Sequence, residues 1–302
     1  MHKKNKVGVL PHTIFKNLIK DLTPGENSGM VINQNNFISF GSKHYFLATD
    51  VGSSFESPLN FNSSQLWELN SDTLVSRKVG TKVNMSFGSA LKGDNYLFFP
   101  CQENAGDWET CVYDTTQEPS VNNPKLLAGN FNPSGNGQFS RLAYRNGKLF
   151  GAATKGDSAG VGIYEYDMSL PTSATNPILR LDVRSGSSAG NVTATTLNGN
   201  KLYIFDNNGS GSVLYELNLD TYISRNITPT NGSTLSNYAG YIGPDGKLYF
   251  SAFVNSTVGT ELHVFDPALG VSTTNPKLVG DFNLATSSVL GMVSVGSKMY
   301  FR

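Results

Sequence analysis

Gly246-Lys247-Leu248-Tyr249-Phe250-Ser251 and, after a short loop, Glu261-Leu262-His263-Val264-Phe265-Asp266 form the stretch that decides the fold of this chain. Both halves are short, rich in aromatic and branched residues, and bounded by Gly, Asn or Asp, which is typical of β-strands between tight turns. The stretch therefore predicts two neighbouring antiparallel strands, and versions of it recur along the whole sequence.

The first half recurs six times, each copy being a two-residue turn followed by a strand. The turns are Gly41-Ser42, Gly93-Asp94, Asn146-Gly147, Asn198-Gly199, Asp245-Gly246 and Gly296-Ser297. Such dipeptides suit hairpins because Gly and Asn tolerate positive φ. The matching strand positions are Tyr45, Leu97, Phe150, Tyr203, Tyr249 and Tyr300, which are 46–53 residues apart. A period of this length made of short strands predicts propeller blades or a solenoid.

The second half recurs five times as the third strand of each unit. Its copies are Gln65–Asn70, Glu109–Asp114, Gly162–Asp167, Val213–Asn218 and Glu261–Asp266, each closed by Asp or Asn. A fourth strand follows at Lys125–Ala128, Ile178–Leu181 and Lys277–Gly280, each time directly after Asn-Pro. Proline blocks strand pairing and marks the turn. Four strands per unit predict a blade of a β-propeller.

The two ends of the chain complement each other in this pattern. The sixth copy stops after its second strand, whereas residues 6–22 read as a third and a fourth strand. From Tyr300 through the chain ends to Tyr45 the spacing is 47 residues, within the range of the repeat. We therefore predict an all-β fold, a single six-bladed β-propeller over residues 1–302 with four-stranded antiparallel blades. The predicted blades are residues 30–80, 82–131, 138–184, 191–230 and 236–283, and a last blade in which residues 6–22 join residues 289–302.

Composition excludes several classes of function. The chain has 23 basic and 23 acidic residues and no net charge, whereas a protein that follows a phosphate backbone needs a positive surface. Its one basic cluster, His2 to Lys6, reads as a solvated tail. No run of 18 apolar residues occurs, so no membrane span is predicted, and the first residues have no apolar core of the signal-peptide type.

Cys101 and Cys111 are the only cysteines, and they are symmetric about Gly106, the predicted tip of a hairpin. Antiparallel pairing about this tip would place them directly opposite each other, close enough for a disulfide. The same register would place Phe253 opposite His263 and Thr154 opposite Tyr164. The alternative is a slot for packed side chains that two thiols occupy.

The loops between second and third strands are the predicted ligand end, because loops on a rigid scaffold commonly carry function. Phe55 and Trp108 are large apolar residues in otherwise polar loops, and Asp107 adjoins Trp108. These residues are candidate contacts for a ligand or partner, with loop anchoring as the alternative. Arg141 is the obvious charge on a first strand, where it would bind either a carboxylate or a neighbouring carbonyl.

Two further patterns have weak signals. Asp206 to Gly211 resembles a calcium loop but lacks the bidentate Glu, so a Gly-rich hairpin is the alternative. Seven Asn-x-Ser/Thr sequons occur, of which Asn208 and Asn255 lie at predicted loop tips. The abundance of Asn, Ser and Thr would produce about as many by chance, so we treat glycosylation as a weak prediction.

No catalytic or phosphate-binding motif is present. The histidines His2, His12, His44 and His263 are scattered over different units, without a nucleophile in a known motif. His263 stands where other copies have an aromatic residue, so packing is its favoured role. Carboxylates from different blades could still converge, as sugar chemistry would need. The sequence otherwise predicts neither an enzyme nor a resident cofactor.

The third strand and its surroundings resemble the bacterial repeat family with a Glu-Leu-Trp-x-x-Asp-Gly-Thr signature. The residues that carry the resemblance are Glu261–Asp266, Gln65–Asn70, Lys277–Asn283 and Leu18–Gly25. Trp is kept only at Trp67, and Asp-Gly-Thr is nowhere complete. The resemblance implies a secreted or cell-surface location and carries over no catalytic residue.

The sequence-based hypothesis is therefore a non-enzymatic extracellular or cell-surface module for binding or assembly. It would make protein–protein contacts, including adhesion or self-association into layers or filaments, because a neutral surface lacks charge to keep copies apart. The alternative is a glycan-binding lectin or a carbohydrate-active enzyme with its site on the loop face.

Overall fold

The computed structural model describes residues 37–49, 64–79, 83–85, 90–104, 107–132, 135, 137–155, 161–183, 191–207, 212–230, 234–280 and 292–301. All its regular elements are β-strands in antiparallel sheets, as predicted for an all-β fold. The described residues include no helix long and apolar enough to cross a membrane. The chain divides into two compact units, Met1–Asn130 and Phe131–Arg302. Residues 6–22, assigned above to the last blade, are outside the described residues.

The first unit contains two sheets. The first sheet has the order β1 (Ile38–Phe40), β2 (Lys43–Thr49), β3 (Ser64–Asn70) and β4 (Val75–Lys78). The second comprises β5 (Val83–Met85), β6 (Leu91–Lys92), β7 (Tyr96–Asn104), β8 (Asp107–Asp114) and β9 (Lys125–Leu126). It has five strands instead of the predicted four, because two short strands, β5 and β6, both pair with β7 where the other sheets have one first strand.

The described residues of the second unit form four sheets. The third sheet is β10 (Ser140–Arg145), β11 (Lys148–Thr154), β12 (Val161–Asp167) and β13 (Ile178–Asp182); the fourth is β14 (Asn191–Asn198), β15 (Lys201–Asn207), β16 (Ser212–Asn218) and β17 (Ser224–Asn226). The fifth is β18 (Thr234–Ile242), β19 (Leu248–Asn255), β20 (Gly259–Phe265) and β21 (Lys277–Leu278); the sixth pairs β22 (Met292–Val295) with β23 (Lys298–Phe301).

Within each unit, neighbouring sheets bury their faces against each other. In β11 every residue from Leu149 to Ala153 is buried, which explains why its sequence is apolar without alternation. One apolar cluster joins the first and second sheets through Tyr45 and Phe99. In the second unit, further clusters join the third to the fourth, the fourth to the fifth and the fifth to the sixth sheet.

The first strands of the third, fourth and fifth sheets are neighbours. The Thr195 hydroxyl donates to the Arg141 carbonyl oxygen (2.6 Å), and the Thr196 hydroxyl donates to the Gly240 carbonyl oxygen (2.7 Å). These two bonds tie β14 to β10 on one side and to β18 on the other. Side-chain hydroxyls of β14 thus donate to backbone acceptors of the two neighbouring sheets.

The predicted two-residue turns form at Gly41-Ser42, Asn146-Gly147 and Gly296-Ser297, whereas the other three are shifted by one residue or are longer. The predicted register of the opposite hairpins is wrong. At Asn146-Gly147 both residues have positive φ (51° and 75°), as a two-residue hairpin of this type requires. At the other end, Cys101 lies opposite Glu109, and Cys111 lies opposite Phe99. The reason is a register shift between Gln102 and Asn104, which moves the centre of the hairpin away from Gly106.

The other two predicted cross-strand pairs, Phe253 with His263 and Thr154 with Tyr164, are also not formed. Phe253 pairs with Thr260, so His263 faces Phe250 across the fifth sheet instead. Thr154 pairs with Val161, which leaves Tyr164 opposite Gly151 in the third sheet.

Candidate functional site

The loop end of the hairpin β7–β8 carries the predicted residues Asp107 and Trp108. Both are half-buried, and Trp108 pairs with the buried Gln102. The Asn130 side-chain amide donates to Asp107 Oδ2 at 3.5 Å, and the next residue, Glu109, is only 2% exposed. The hairpin end therefore presents an indole and a carboxylate beside buried polar groups, a combination that can hold a ligand with an amine and an apolar side chain.

The disulfide between Cys101 and Cys111 is present and lies below this hairpin end. The two residues are diagonal neighbours with Cα atoms 5.8 Å apart, within the range that a disulfide spans. Both are fully buried in the cluster between the first and second sheets, where Phe99 and Tyr113 also pack. The disulfide therefore lies in a buried slot among packed side chains, so the two alternatives given for these cysteines both describe this position.

Arg141 lies in an irregular part of β10. Its φ is 53° at the register shift between Ser140 and Ala143, and its side chain is exposed. Arg141 Nε donates to the Val192 carbonyl oxygen at 3.5 Å. Of the two roles left open above, the structure shows the contact with a carbonyl. Arg141 belongs to the second unit and Asp107 to the first.

The remaining predicted site residues are partly outside the described structure. Phe55 and Asn208 lie outside the described residues, as does the end of the predicted calcium loop. Asp206, its first residue, is 2% exposed inside β15. No group of three metal-ligating side chains occurs in the described part of the chain, and calcium stays a prediction. Asn255 is exposed, and its Oδ1 accepts hydrogen bonds from the backbone N–H groups of Thr257 and Val258 (both 2.9 Å).

One pairing that sequence reasoning missed is Ser39 with His44. The two residues face each other in the hairpin β1–β2, with Ser39 Oγ 2.7 Å from His44 Nδ1. Lys92 Nζ donates to the Ser39 carbonyl oxygen at 2.6 Å. A nucleophile–base pair also needs a group that orients the imidazole and donors for an oxyanion. The turn Gly41-Ser42 was the signal that could have placed the two residues opposite each other.

A second missed feature is a group of one Glu, one Arg and one Lys that repeats in three sheets. The Glu lies on the third strand and is nearly buried, the Arg lies on the fourth strand, and the Lys begins the second strand. The groups are Glu68–Arg77–Lys43, Glu165–Arg180–Lys148 and Glu216–Arg225–Lys201. At the equivalent places the second and fifth sheets pair Val112 with Lys125 and Val264 with Lys277. The signal that could have revealed these groups is the Glu that recurs at the same position of the third strand, at Glu68, Glu165 and Glu216.

Each of these groups also reaches the following sheet of its unit. Arg77 Nη1 donates to Glu118, and Lys201 Nζ donates to the Pro267 carbonyl oxygen (3.0 Å). The guanidinium of Arg180 lies 3.7 Å from the ring centre of Tyr222, a favourable cation–π contact. The groups therefore hold neighbouring sheets together.

Electrostatics confirm that Glu165 is ionised within its group. Burial alone would raise the pKa of its carboxyl group, but hydrogen bonds from Arg180 and Lys148 outweigh burial and lower this pKa below its ordinary value. In the first sheet the Tyr45 hydroxyl donates to Glu68 Oε2 at 2.8 Å, and burial together with this bond raises the pKa of Tyr45. Burial also raises the pKa of Tyr113 to about 12. These charged groups contribute to packing between neighbouring sheets.

The fold is similar to parts of solved peptidases. Prolyl oligopeptidase B from Galerina marginata has a TM-score of 0.53 at 11% identity over 87% of this chain. Puromycin hydrolase has 0.53 at 11% identity over 88%, and a prolyl endopeptidase studied for the role of inter-domain dynamics in catalysis and specificity has 0.55 at 12% over 96%. These are β-propeller-containing proteins. No protein-family model matches the chain, and no curated protein matches it significantly.

The comparison corrects the functional hypothesis. The chain spans only 37–43% of the length of these peptidase chains, and the likeness concerns the fold. The propeller domains of these neighbours belong to peptidases, and this finding contradicts the hypothesis of a non-enzymatic surface module for adhesion or assembly, with its carbohydrate alternatives. The reason is that strand repeats report how the sheets are built and do not report which domain accompanies them.

Proposed function

We propose that this chain is a non-catalytic propeller region that works together with a peptidase catalytic domain and helps to select its peptide substrates. The observation that carries the proposal is the match of 87–96% of this chain to only 37–43% of three peptidase chains. The catalytic groups would come from a separate domain, on the same or another polypeptide. Ser39 and His44 are compatible with this division, because the described residues supply no group that orients the His44 ring, and an exposed serine beside an unoriented imidazole is a poor nucleophile.

Within this proposal, the hairpin end at Asp107 and Trp108 contacts the peptide. A carboxylate can receive a peptide amine, and an indole provides a large rigid apolar contact for a side chain such as proline. The disulfide next to it supports a place of action in an oxidising compartment, extracellular or at the cell surface.

The finer architecture that we propose is a six-bladed propeller whose last blade takes strands from residues 6–22. Four-stranded antiparallel sheets and adjacent first strands support it. Amides of β23 should then exchange hydrogen slowly in the full chain and quickly in a chain that lacks residues 1–22. Equal exchange in both chains would contradict closure.

The function is tested with the purified chain and a panel of proline-containing oligopeptides. We expect no hydrolysis of chromogenic peptides by the chain alone, and binding of unlabelled peptides with a Kd of about 1 mM or tighter. Asp107→Asn and Trp108→Ala should each weaken binding about tenfold. Asn255→Ala, at another loop, is the matched control.

Two outcomes would overturn the proposal. Hydrolysis by the chain alone that disappears in Ser39→Ala would show that the chain itself is catalytic. The absence of any peptide binding at about 1 mM would remove the role in substrate selection.

A further inference from the structure

His263 lies on the face of the fifth sheet that packs against the fourth, since its cross-strand partner Phe250 belongs to the apolar cluster that joins these two sheets. It lies in the middle of β20 with no exposed surface, and its ring stacks on Phe250 with ring centres 5.9 Å apart. The equivalent position holds an aromatic residue in the first, third and fourth sheets, at Trp67, Tyr164 and Tyr215, and Cys111 in the second. His263 thus occupies a place built for an aromatic ring, but unlike those rings it can take up a proton at nearly neutral pH.

Hydrogen bonding fixes the tautomer of this ring. His263 Nδ1 lies 3.1 Å from the backbone carbonyl oxygen of Glu261, which can only accept, so Nδ1 carries the hydrogen. In the neutral ring Nε2 is then an acceptor, and this buried atom has no hydrogen-bond partner among the residues that the structure describes. Any further proton must therefore bind at Nε2.

The groups around His263 are almost entirely apolar. Its cross-strand neighbours are Phe250 and Leu278. Phe250 belongs to the apolar cluster between the fourth and fifth sheets, which also contains Leu235 of β18 and has Ile242 packed against it. The fourth sheet contributes Tyr203, Phe205, Leu214 and Ile227 to this cluster.

Few titratable groups face this layer. On β20 itself the nearby group is Glu261, which is fully buried. From the fourth sheet they are Tyr203 and the Lys201–Glu216–Arg225 group, whose Arg225 lies over the ring of Phe265 at 5.4 Å. The described residues of β18, β19 and β21 that belong to this cluster or pair with His263 are apolar. A proton on Nε2 would therefore place a positive charge in an apolar layer where the described residues offer it no acceptor.

We propose that His263 is an acid-sensitive contact between the fourth and fifth sheets. In mildly acidic solution one proton from solvent binds Nε2, the resulting imidazolium cannot stay in the apolar layer, and β19 and β20 separate from the fourth sheet. This proposal does not depend on the proposed function.

The direction of the effect follows from linkage. Burial lowers the pKa of His263, while the backbone bond and the charge of Glu261 oppose this effect only in part. The folded chain therefore binds fewer protons than the unfolded chain between the folded pKa and the unfolded value of about 6.5. Stability is complete above about pH 6.5 and declines as the pH falls towards the folded pKa. The unfolding or opening constant should rise by up to about tenfold for each pH unit in this window.

Hydrogen exchange and urea unfolding between pH 8 and pH 5 test the proposal. In the wild type we expect amides of β19 and β20 to show an increasing opening constant as the pH falls below about 6.5. His263→Phe should lose this increase, and His263→Tyr, which introduces the residue found at two equivalent positions, provides a second variant if the first folds poorly. His44→Gln removes a histidine on the exposed hairpin β1–β2 and should leave the increase unchanged. The proposal is overturned if wild type and both His263 variants share the same pH dependence, or if His44→Gln alone abolishes it.

Discussion

At the scale of single residues, three buried asparagines organise the long loops between third and fourth strands. Each precedes a proline through a cis peptide bond, at Asn123, Asn176 and Asn275. In each case the Oδ1 atom accepts from the backbone N–H of the Asp at the end of the third strand, and Nδ2 donates to backbone carbonyls of the loop. These side chains satisfy backbone groups that the turn leaves without partners.

Replacement of one such asparagine should destabilise the fold. Asn123→Ala removes the acceptor for Asp114 N–H and the donor to the Asp114 carbonyl oxygen, and leaves both near the protein interior. We expect a loss of about 2–3 kcal/mol in the free energy of unfolding, measured in urea. The neighbouring Asn122→Ala, at an exposed side chain, should change it by less than about 0.5 kcal/mol. Equal losses for both variants would show that the side-chain bonds of Asn123 contribute little.

At the scale of elements, the same position of the third strand carries either a Glu that pairs with Arg and Lys or a Val that lies opposite a Lys. Where the third strand has Glu165, Arg180 of the fourth strand and Lys148 pair with it. Where it has Val264, Lys247 pairs with Asp266 at 3.1 Å instead. A buried carboxylate is stable only with its partners, so the three residues must change together.

This reasoning predicts a non-additive pair of substitutions in the third sheet. Glu165→Val should cost about 2–3 kcal/mol in urea unfolding, because Arg180 loses its partner while remaining only partly exposed. Adding Arg180→Val removes the guanidinium that has lost its carboxylate and introduces the residue type that the fifth sheet has at this place, Val279. With Asp167 available to Lys148, the second substitution should recover at least about half of the loss. Simple addition of the two separate effects would refute the coupling.

The disulfide gives a second prediction for elements. It closes a loop of only 10 residues in sequence separation, so the chain-entropy model assigns it about 2–3 kcal/mol. Cys101→Ala with Cys111→Ala should lower the unfolding free energy by about this amount or more, since both side chains are fully buried. A reducing agent added to the folded wild type should have little effect, because the bond is enclosed in the cluster between the first and second sheets.

At the scale of the whole molecule, acid should destabilise the chain in a second pH range, below that of His263. Hydrogen bonds from Ser169 lower the pKa of Asp167, and bonds from Asn200 and Arg145 lower that of Asp220. Hydrogen bonds from the Ala268 backbone and Lys247 lower the pKa of Asp266. Burial would raise the pKa of Glu165, but its hydrogen-bond partners outweigh burial and lower this pKa as well.

A group with a lowered folded pKa stabilises the protein above its unfolded value, and this contribution is lost as the pH falls through the folded pKa. The melting temperature should therefore fall steeply below about pH 4.5. High salt should weaken the contribution of the exposed Asp220 more than that of the buried Glu165, whose loss Glu165→Gln isolates. A melting temperature that stays constant from pH 5 to pH 3 would contradict this account.

The sequence predicted much of the local structure because it repeats. Turn residues at Asn146-Gly147 and Asp245-Gly246, and strands such as Lys201–Asn207, follow from φ preferences and from apolar runs that need no tertiary information. The register of the β7–β8 hairpin could not be predicted, because one extra residue in a bulge shifts every pair beyond it. The pair Ser39–His44 was missed for a related reason, since cross-strand neighbours are set by turn geometry.

The sequence by itself determined that the chain forms repeated antiparallel sheets, since hydrophobic period and turn chemistry are local properties of the chain. It also contained the two cysteines and the repeated glutamates, but not their partners. Only the tertiary structure decided that the cysteines meet diagonally, that each glutamate is held by Arg and Lys, and that His263 has its Nε2 in an apolar layer. These features depend on contacts between strands and between sheets, and the free energy of such contacts is set by packing and burial that no single stretch of sequence encodes.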